Sequence, residues 1–321
     1  MPISKELILP ALKSPHPLLY ATRPGALPAR FRRERVLLVG CGDVGVRVAA
    51  LMQGRVRLLA LTSSAGRVAE LRAKAITPLQ GNLDQPASLA RLSGLATRVV
   101  HLAPPPEAGR GDPRTLALIR TLCQRALPQS VVYGSTSGVY GDCQGKIVTE
   151  TRAADAHTAR ARKRIDAESL VRYFGRSTGV VSTILRIPGI YAPNRVGGTP
   201  RERLLRGTPV LNAEDDVFTN HVHADDLARA CVAALWRGTP QRIYNANDDS
   251  VLKMGDYFDL AADLYGLPRP RRVPRSTAPD HMPLLLLSFM SESRRMDNTR
   301  LKKELRLRLR YPTVEQGLRQ A

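Results

Sequence analysis

Three glycines near residue 40 have the spacing of a phosphate-binding turn. In RVLLVGCGDVGVRVAA, residues 35–50, Gly40, Gly42 and Gly45 follow an apolar run and precede an apolar helical pattern. Gly40 permits a tight turn, Gly42 lets the backbone approach a pyrophosphate, and Gly45 allows helix and strand to pack closely. The N-terminus of the following helix offers unpaired N–H groups and partial positive charge. This glycine turn therefore predicts a dinucleotide site.

The end of the next predicted strand indicates which dinucleotide binds. Val56–Leu61 has the pattern of that strand, and Thr62, Ser63 and Ser64 follow it without a carboxylate. An Asp or Glu there would accept hydrogen bonds from the adenosine ribose, whereas small hydroxyls followed by Arg67 suit a 2′-phosphate. We therefore expect NADP as the cofactor, with NAD as the alternative.

A cluster of hydroxyl groups follows a predicted strand in the middle of the chain. The segment VVYGSTSGVYGD, residues 131–142, begins apolar and continues into a cluster that includes Thr136. A doubly wound sheet presents its ligands at the carboxyl ends of its parallel strands. Thr136 is therefore a candidate to hydrogen-bond a substrate oxygen; the alternative is that it only caps the strand end.

These groups can meet only if strands and helices alternate, and the hydrophobic pattern indicates that they do. Apolar runs at 75–79 and 99–103 predict further strands, and the stripe of Leu116, Ile119 and Leu122 predicts a helix. This rhythm predicts an α/β fold with a Rossmann-type doubly wound parallel sheet. A small C-terminal substrate-binding lobe completes the predicted architecture.

The predicted elements divide the chain into three parts. Residues 1–34, rich in proline and basic residues, are expected to form a flexible basic extension. Residues 35–187 form the dinucleotide-binding Rossmann domain, which residues from about 217 to 247 complete. Residues 188–216 and 248–321 form the substrate lobe.

Five short motifs follow one another along the chain: GNLDQPASL, VYGSTSGVYGD, TILRIPGIY, HADDLA and IYN. Together they resemble the extended short-chain dehydrogenases/reductases, in particular their NAD-dependent epimerase/dehydratase group. The resemblance covers the chain from Arg35 to the C-terminus. It implies an NAD(P)-binding, atypical member of that group, an oxidoreductase or epimerase acting on a small anionic metabolite.

The resemblance also implies which residues hold the cofactor. They come from the glycine turn and the helix after it, the ends of the second and fourth strands, the adenine-side turn and the segment that reaches the nicotinamide. These residues are Gly40, Gly42, Asp43, Val44, Gly45, Thr62, Ser63, Ser64, Arg67, Asn82, Leu83, Leu102, Ala103, Pro104 and Pro188.

The catalytic set of the resembled family is a Ser or Thr, a Tyr, and a Lys four residues after the Tyr. Thr136, four residues before Tyr140, matches the hydroxyl member, but none of the nine tyrosines has a lysine four positions on. The family spacing, counted back from Glu168, puts Arg160 at the Tyr position and Arg164 at the Lys position.

A second register pairs Thr158 with Arg162, one turn apart on the same helix face. We take Thr136, Thr158 and Arg162 as the candidate catalytic residues, and Arg160 with Arg164 stays open as the other register. A threonine hydroxyl is no acid or base near neutral pH, and arginine stays protonated. Hydride chemistry with a tyrosine base is therefore not expected.

Candidate substrate contacts lie in three parts of the chain. We expect them from Tyr140 in the strand-end motif, from Arg195 in the lid segment, and from Asn220 and His221 at the rim of the cleft. Four arginines between Pro193 and Pro209 would make the lid electropositive and suited to an anionic ligand.

Composition narrows the classes of partner. Lysine and arginine number 49 against 28 acidic residues, a formal net charge of +21, and no zinc-finger or RNP motif accompanies them. We expect a solvated basic surface that attracts an anionic substrate rather than nucleic-acid binding. The four cysteines lack metal-ligand spacing and are typical of reduced thiols. The expectation is a cytoplasmic protein without bound metal or membrane span.

Two other functions stay open at this point. The missing Tyr-x-x-x-Lys pair leaves a non-catalytic NADP-binding sensor or regulatory protein as the alternative. The basic residues at 160–164 and in the N-terminal arm leave nucleic-acid binding as a third hypothesis. The sequence does not decide whether the helices near Thr115 and Arg160 pair two copies into a homodimer.

Overall fold

Seven parallel strands form the central sheet of this computed structural model, in which residues 33–319 are described. The strands are β1 (Arg35–Val39), β2 (Arg57–Thr62), β3 (Thr77–Gln80), β4 (Arg98–His101), β5 (Ser130–Thr136), β6 (Val181–Ile187) and β7 (Ile243–Asn245). Their order in the sheet is β7-β6-β5-β4-β1-β2-β3. The order reverses between β1 and β4, and there a doubly wound sheet opens a crevice for ligands.

Helices follow most strands and cover the sheet. They are α1 (Asp43–Met52), α2 (Arg67–Ala73), α3 (Pro113–Leu122), α4 (Ala159–Thr178), α5 (Arg201–Leu205), α6 (Ala224–Arg237), α7 (Met254–Tyr265), α8 (Leu284–Phe289), α9 (Thr299–Glu304) and α10 (Val314–Leu318). Short 3-10 helices cover Pro86–Leu92, Ser137–Tyr140 and Ala278–Asp280.

The apolar run of β1 shows why the sheet is buried on both faces. Val36 and Leu38 pack into the core under α1 and α6, whereas Leu37 and Val39 pack into the core under α3 and α4. Alternate residues of a strand point to opposite faces, so a strand covered on both sides must be apolar throughout. This burial on both faces explains the run of four apolar residues, 36–39, from which the strand was predicted.

Beside the carboxyl edge of the central sheet, short strand pairs form a second, smaller part of the molecule. Parallel pairs join Gly189–Tyr191 to His221–His223, Val210–Leu211 to Arg272–Val273, and Ile147–Val148 to Arg295–Met296, and an antiparallel pair joins Phe218–Thr219 to Leu252–Lys253. A separate hydrophobic cluster around Tyr257 and Phe258 packs α5, α7 and α10 together.

The predicted Rossmann-type doubly wound sheet is confirmed, with small differences at the ends of its elements. The fourth strand ends at His101 rather than at Ala103, because the amides of Leu102 and Ala103 both donate to the carbonyl of Val39 and the backbone leaves the ladder. Of the predicted extension, 1–34, residues 1–32 lie outside the described residues. Between residues 33 and 319, no helix has the length and hydropathy that crossing a membrane requires.

A buried ion pair joins α4 to β6. Arg186 donates from Nε and Nη2 to the two carboxylate oxygens of Glu168, over 3.1 and 2.8 Å, and the Ser135 hydroxyl of β5 donates to the same carboxylate over 2.6 Å. The Arg186 guanidinium also lies 4.5 Å from the ring centre of Tyr140. Both charged side chains are almost inaccessible to solvent. Helix α4 is therefore fixed against two strands at once.

We expect the Glu168→Leu substitution to lower the free energy of unfolding by about 3–5 kcal/mol, because it leaves the Arg186 guanidinium buried without a counter-ion. The matched control is Glu315→Leu, which removes the exposed partner of Arg319 and should cost less than about 1 kcal/mol. Urea denaturation of both variants measures the difference. Equal losses would show that the buried pair has no special weight in stability.

Candidate functional site

A cavity of about 920 Å³ opens at the carboxyl edge of the sheet, beside the glycine turn. Its walls come from that turn, the ends of β5 and β6, the start of α4 and the smaller part of the molecule. The structure brings twelve of the predicted site residues to this main cavity: Gly40, Gly42, Asp43, Val44, Gly45, Leu102, Thr136, Thr158, Pro188, Arg195, Asn220 and His221.

The other predicted site residues are not in its lining. Eight of them lie at or after the ends of β2, β3 and β4, along the same edge of the sheet: Thr62, Ser63, Ser64, Arg67, Asn82, Leu83, Ala103 and Pro104. The remaining two are Tyr140, which is buried in the interior, and Arg162, which is exposed on α4.

The glycine turn has the shape that a pyrophosphate requires. Gly40 has φ +85°, and a Cβ there would lie 2.3 Å from the amide nitrogen of Ala103. At Gly42, in contrast, a Cβ would meet no atom within 4 Å, and no side chain caps the helix N-terminus that follows. Gly40 is thus required by the fold, whereas Gly42 keeps space clear at the amide groups of α1. The residues present fit a bound dinucleotide.

Arg67 lies close to the glycine turn. Its Nη1 donates to the carbonyl of Cys41 over 2.6 Å, and its Nε lies 3.3 Å from the carboxylate of Glu70. The Thr62 hydroxyl lies 3.2 Å from both the amide and the carbonyl of Ser64, so it shapes the loop between β2 and α2. The end of β2 therefore presents hydroxyl groups and a guanidinium to the edge of the sheet.

The predicted adenine-side turn is closed by its own side chains. The Asn82 side-chain oxygen accepts from the amide of Asp84 over 3.0 Å, and the Asn82 amide donates to the Ser88 hydroxyl over 2.8 Å. Leu83 packs against the core under α3 and α4. The turn is thus held in one shape at the carboxyl end of β3.

Thr136 is the last residue of β5 and lines the main cavity, and its hydroxyl caps the 3-10 helix that follows. Its Oγ1 accepts from the amide of Gly138 over 3.3 Å, at the start of the 3-10 helix. An accepting hydroxyl keeps its own proton for a second hydrogen bond. The two functions considered for Thr136 are therefore compatible.

Helix α4 begins at Ala159, and the lining of the cavity distinguishes the two registers. Thr158 is its N-cap, and the threonine hydroxyl accepts from the amide of Ala161 over 3.2 Å. Arg162 is exposed, donates from Nε to the carbonyl of Ala156 and lies outside the main cavity. Of the Thr158–Arg162 register, Thr158 lines the cavity and Arg162 does not, whereas both members of the other register, Arg160 and Arg164, line it.

Arg164 is held against the end of β5. Its Nη1 donates to the carbonyl of Gly134 over 2.7 Å and to the hydroxyl of Tyr133 over 3.0 Å. Lys163, next to it in sequence, is buried and donates to the carbonyls of Pro106, Glu107 and Ala108. The lysine of this helix thus anchors the loop after β4, and a fixed guanidinium lines the cavity.

Tyr140 does not contact the main cavity, contrary to the expectation of a substrate contact. Its side chain is completely buried, and its hydroxyl donates to Oδ1 of Asn245 over 2.7 Å. Burial also raises the pKa of this phenol. Tyr140 packs in the interior because the 3-10 helix after Thr136 directs its side chain inward, against Arg186.

Asn220 and His221 line the cavity in different ways. Asn220 donates to the carbonyl of Arg294 over 3.0 Å and accepts from the amide of Met296 over 2.8 Å, so its side chain ties two segments together. The His221 ring lies 4.1 Å from that of Tyr257. Burial lowers the pKa of His221 to about 3, so its ring is neutral at physiological pH.

The charge of the main cavity is predominantly positive. Arg195 pairs with Asp43 over 3.4 Å, and Arg294 pairs with Glu292 over 2.8 Å. Three other guanidinium groups complete the set, those of Arg160, Arg164 and Arg203. In the described part of the chain, no three His, Cys, Asp or Glu side chains are grouped as metal ligands.

Sequence reasoning did not single out Glu292 and Arg294. They follow no motif and lie more than 100 residues from β5 in the chain, but the pairing of Arg295–Met296 with Ile147–Val148 brings them to the cavity. Arg294 then donates to the carbonyl of Gly141 over 2.7 Å, just after the 3-10 helix. No local signal could have predicted that placement.

The solved structures that resemble this chain share its fold over most of its length. A functionally unknown conserved protein from Silicibacter pomeroyi is 28% identical, with a TM-score of 0.75 over 89% of this chain and 97% of its own. UDP-glucose 4-epimerase from Thermotoga maritima, solved with UDP-glucose, is 20% identical, with a TM-score of 0.72 over 89% and 96%. UDP-glucuronic acid 4-epimerase from Bacillus cereus, in complex with NAD, is 16% identical, with a TM-score of 0.70 over the same shares.

Comparison by sequence gives the family. No curated relative matches the chain. The profile of the NAD dependent epimerase/dehydratase family, however, matches residues 37–246, which run from β1 to just past β7 and make up more than half of the chain. The glycine turn, the Thr136 strand end and the cavity between them all lie in or against this matched region. This chain therefore belongs to the NAD dependent epimerase/dehydratase family.

Proposed function

We propose that this protein is an NAD(P)-dependent oxidoreductase or epimerase that acts on a small anionic metabolite without a tyrosine base. The observation that carries the proposal is the open space at Gly42, where the amide groups of α1 face a cavity bordered by Thr136. Family membership supports it, as do related folds solved with NAD and UDP-glucose. A sugar nucleotide is the anionic metabolite that these relatives suggest.

The residues that would hold the cofactor follow the edge of the sheet. The glycine turn would hold the pyrophosphate, Arg67 and the hydroxyls after β2 would contact the adenosine ribose, and Pro188 would lie at the nicotinamide. A bound nicotinamide supplies hydride transfer. The absence of a carboxylate between Thr62 and Arg67 favours NADP, and the NAD of the related structures is the alternative.

The protein's own groups would orient the substrate and stabilise its charge. The Thr136 hydroxyl would donate to a substrate oxygen, and Arg160 and Arg164 would stabilise negative charge that develops on it. Tyr191 and Tyr257 also line the cavity, but burial raises the pKa of each phenol, so neither ionises near neutral pH to act as a base. Protons would therefore pass through water, the ribose hydroxyls of the cofactor or a histidine.

A non-catalytic NADP-binding sensor is the second candidate function. The observation that favours it is the arginine at the position where the family spacing places tyrosine: Arg160 lines the cavity and cannot act as a base. In a sensor the same cavity would bind cofactor and an anionic ligand without turnover. Measurement of turnover therefore separates the two functions.

The first test concerns Gly42. We expect Gly42→Val to abolish binding of NAD and NADP, and Gly42→Ala to weaken it, because a side chain would occupy the space that the pyrophosphate needs. Calorimetric titration measures binding, and thermal unfolding should show little change because a Cβ at this position meets no atom. A folded Gly42→Val protein with unchanged affinity would refute a dinucleotide site at the glycine turn.

The second test concerns the choice between NADP and NAD. A charge-assisted hydrogen bond to phosphate is worth about 1.5–3 kcal/mol, so Arg67→Ala should reduce the affinity for NADP by about tenfold to a hundredfold and leave that for NAD little changed. Arg72→Ala, an exposed change on the same helix, is the control. Equal affinities of the unmodified protein for both cofactors would argue against NADP specificity.

The third test uses two arginines of the same helix. In a spectrophotometric screen of sugar nucleotides with NADP or NAD, we expect Thr136→Ala and Arg160→Ala to reduce kcat by ~10²-fold or more. Arg162→Ala should leave kcat unchanged, because that side chain lies outside the cavity. If Arg162→Ala alone reduced kcat, the placement of the catalytic face would be wrong. If the unmodified protein bound cofactor and turned over no substrate, the sensor function would be favoured.

A further inference from the structure

The guanidinium of Arg203 has two buried nitrogen atoms that lack a hydrogen-bond acceptor among the described residues. Arg203, in α5, lines the main cavity and lies 4.2 Å from the ring centre of Phe258. Its Nε and Nη2 are buried, and neither has a hydrogen-bond partner among the described residues. Among the described residues, the groups that act on its charge are the phenol of Tyr257 and the like charge of Arg206.

Burial of an uncompensated charge is strongly unfavourable. Burial accordingly lowers the pKa of Arg203 to about 10. The comparison with other arginines of the cavity is direct: Arg164 donates to a carbonyl, and Arg195 and Arg294 each pair with a carboxylate. Nε and Nη2 of Arg203 lack the kind of acceptor that each of these three arginines has. Such unpaired donors are expected where a ligand supplies the acceptor.

A second orphaned polar atom lies in the same cluster. His221 is buried and lines the cavity, and its Nδ1 has no hydrogen-bond partner in the described part of the chain. Its ring lies against that of Tyr257, which itself lies near Arg203. A neutral imidazole can donate one N–H to an oxygen. A second side chain of the cavity therefore has a polar atom without a partner, and in the tautomer that protonates Nδ1 it can donate to the same anion as Arg203.

The unpaired atoms of Arg203 also define the shape of the missing group. Nε and Nη2 form one edge of the planar guanidinium, and this edge donates two parallel hydrogen bonds to a carboxylate or a phosphate. We propose that Arg203, with His221 and Tyr257, forms an anion subsite of the main cavity that binds one carboxylate or phosphate group of the substrate. The inference deepens the proposed function and rests on it for the identification of this cavity as the substrate site.

The experiment measures anion binding by the full chain without dinucleotide. The probes are malonate, a dicarboxylate, and inorganic phosphate, each titrated by calorimetry at constant ionic strength against chloride. We expect at least one probe to bind, and Arg203→Met to weaken that binding by about tenfold to a hundredfold. Methionine retains much of the packing against Phe258 without the charge, so the Tm of the anion-free variant should equal or exceed that of the unmodified protein.

The control is Arg172→Met, an exposed change on α4 outside the main cavity, which should leave anion affinity unaltered. Binding of malonate alone identifies a carboxylate subsite, and binding of phosphate alone identifies a phosphate subsite. The proposal is overturned if neither anion binds, if Arg203→Met binds both as well as the unmodified protein, or if Arg203→Met lowers the anion-free Tm. None of these results depends on cofactor, so failure of the dinucleotide proposal at Gly42 is a separate outcome.

Discussion

The buried ion pair between Glu168 and Arg186 is the interaction on which the geometry of the site depends. Glu168 lies one helical turn after Arg164 on α4, and the Ser135 hydroxyl that donates to it precedes Thr136. Arg186 is the second residue before Pro188. One carboxylate therefore fixes the helix and the two strand ends that together form the part of the cavity where substrate chemistry is proposed. Helical and strand propensity alone would not set that mutual position.

The parts of the structure that depend on neighbouring residues could be predicted from the sequence. The glycine turn, the apolar strands and their alternation with helices follow from local pattern, and the Rossmann-type sheet was correct. The start of α4 was also readable in principle. Thr158 is a favourable N-cap residue, and a helix beginning at Ala159 puts Arg160 and Arg164 on one face while Arg162 points away. The family spacing, counted back from Glu168, gave this same pair, and both arginines line the cavity.

The remaining features could not be predicted, because they depend on which distant segments pair. Glu292 and Arg294 reach the cavity through two-residue strands that have no recognisable periodicity. Tyr140 has the sequence context of a site residue, yet the turn after Thr136 directs it to Asn245 and the interior. Whether a polar side chain at a strand end faces ligand or core is decided by tertiary packing, and sequence spacing carries little information about it.

The ion pair between Asp43 and Arg195 has a thermodynamic consequence. Asp43 is the first residue of α1, at the amide groups that would receive a pyrophosphate, and Arg195 donates in addition to the carbonyl of Ile190. Arg47 of the same helix joins Asp43 to Asn194 and Asp225. A pyrophosphate bound at these amide groups would compete with Asp43 for Arg195. Its binding free energy and the position of the segment around residue 195 would then be coupled, and by reciprocity a movement of that segment would change the affinity for the anion.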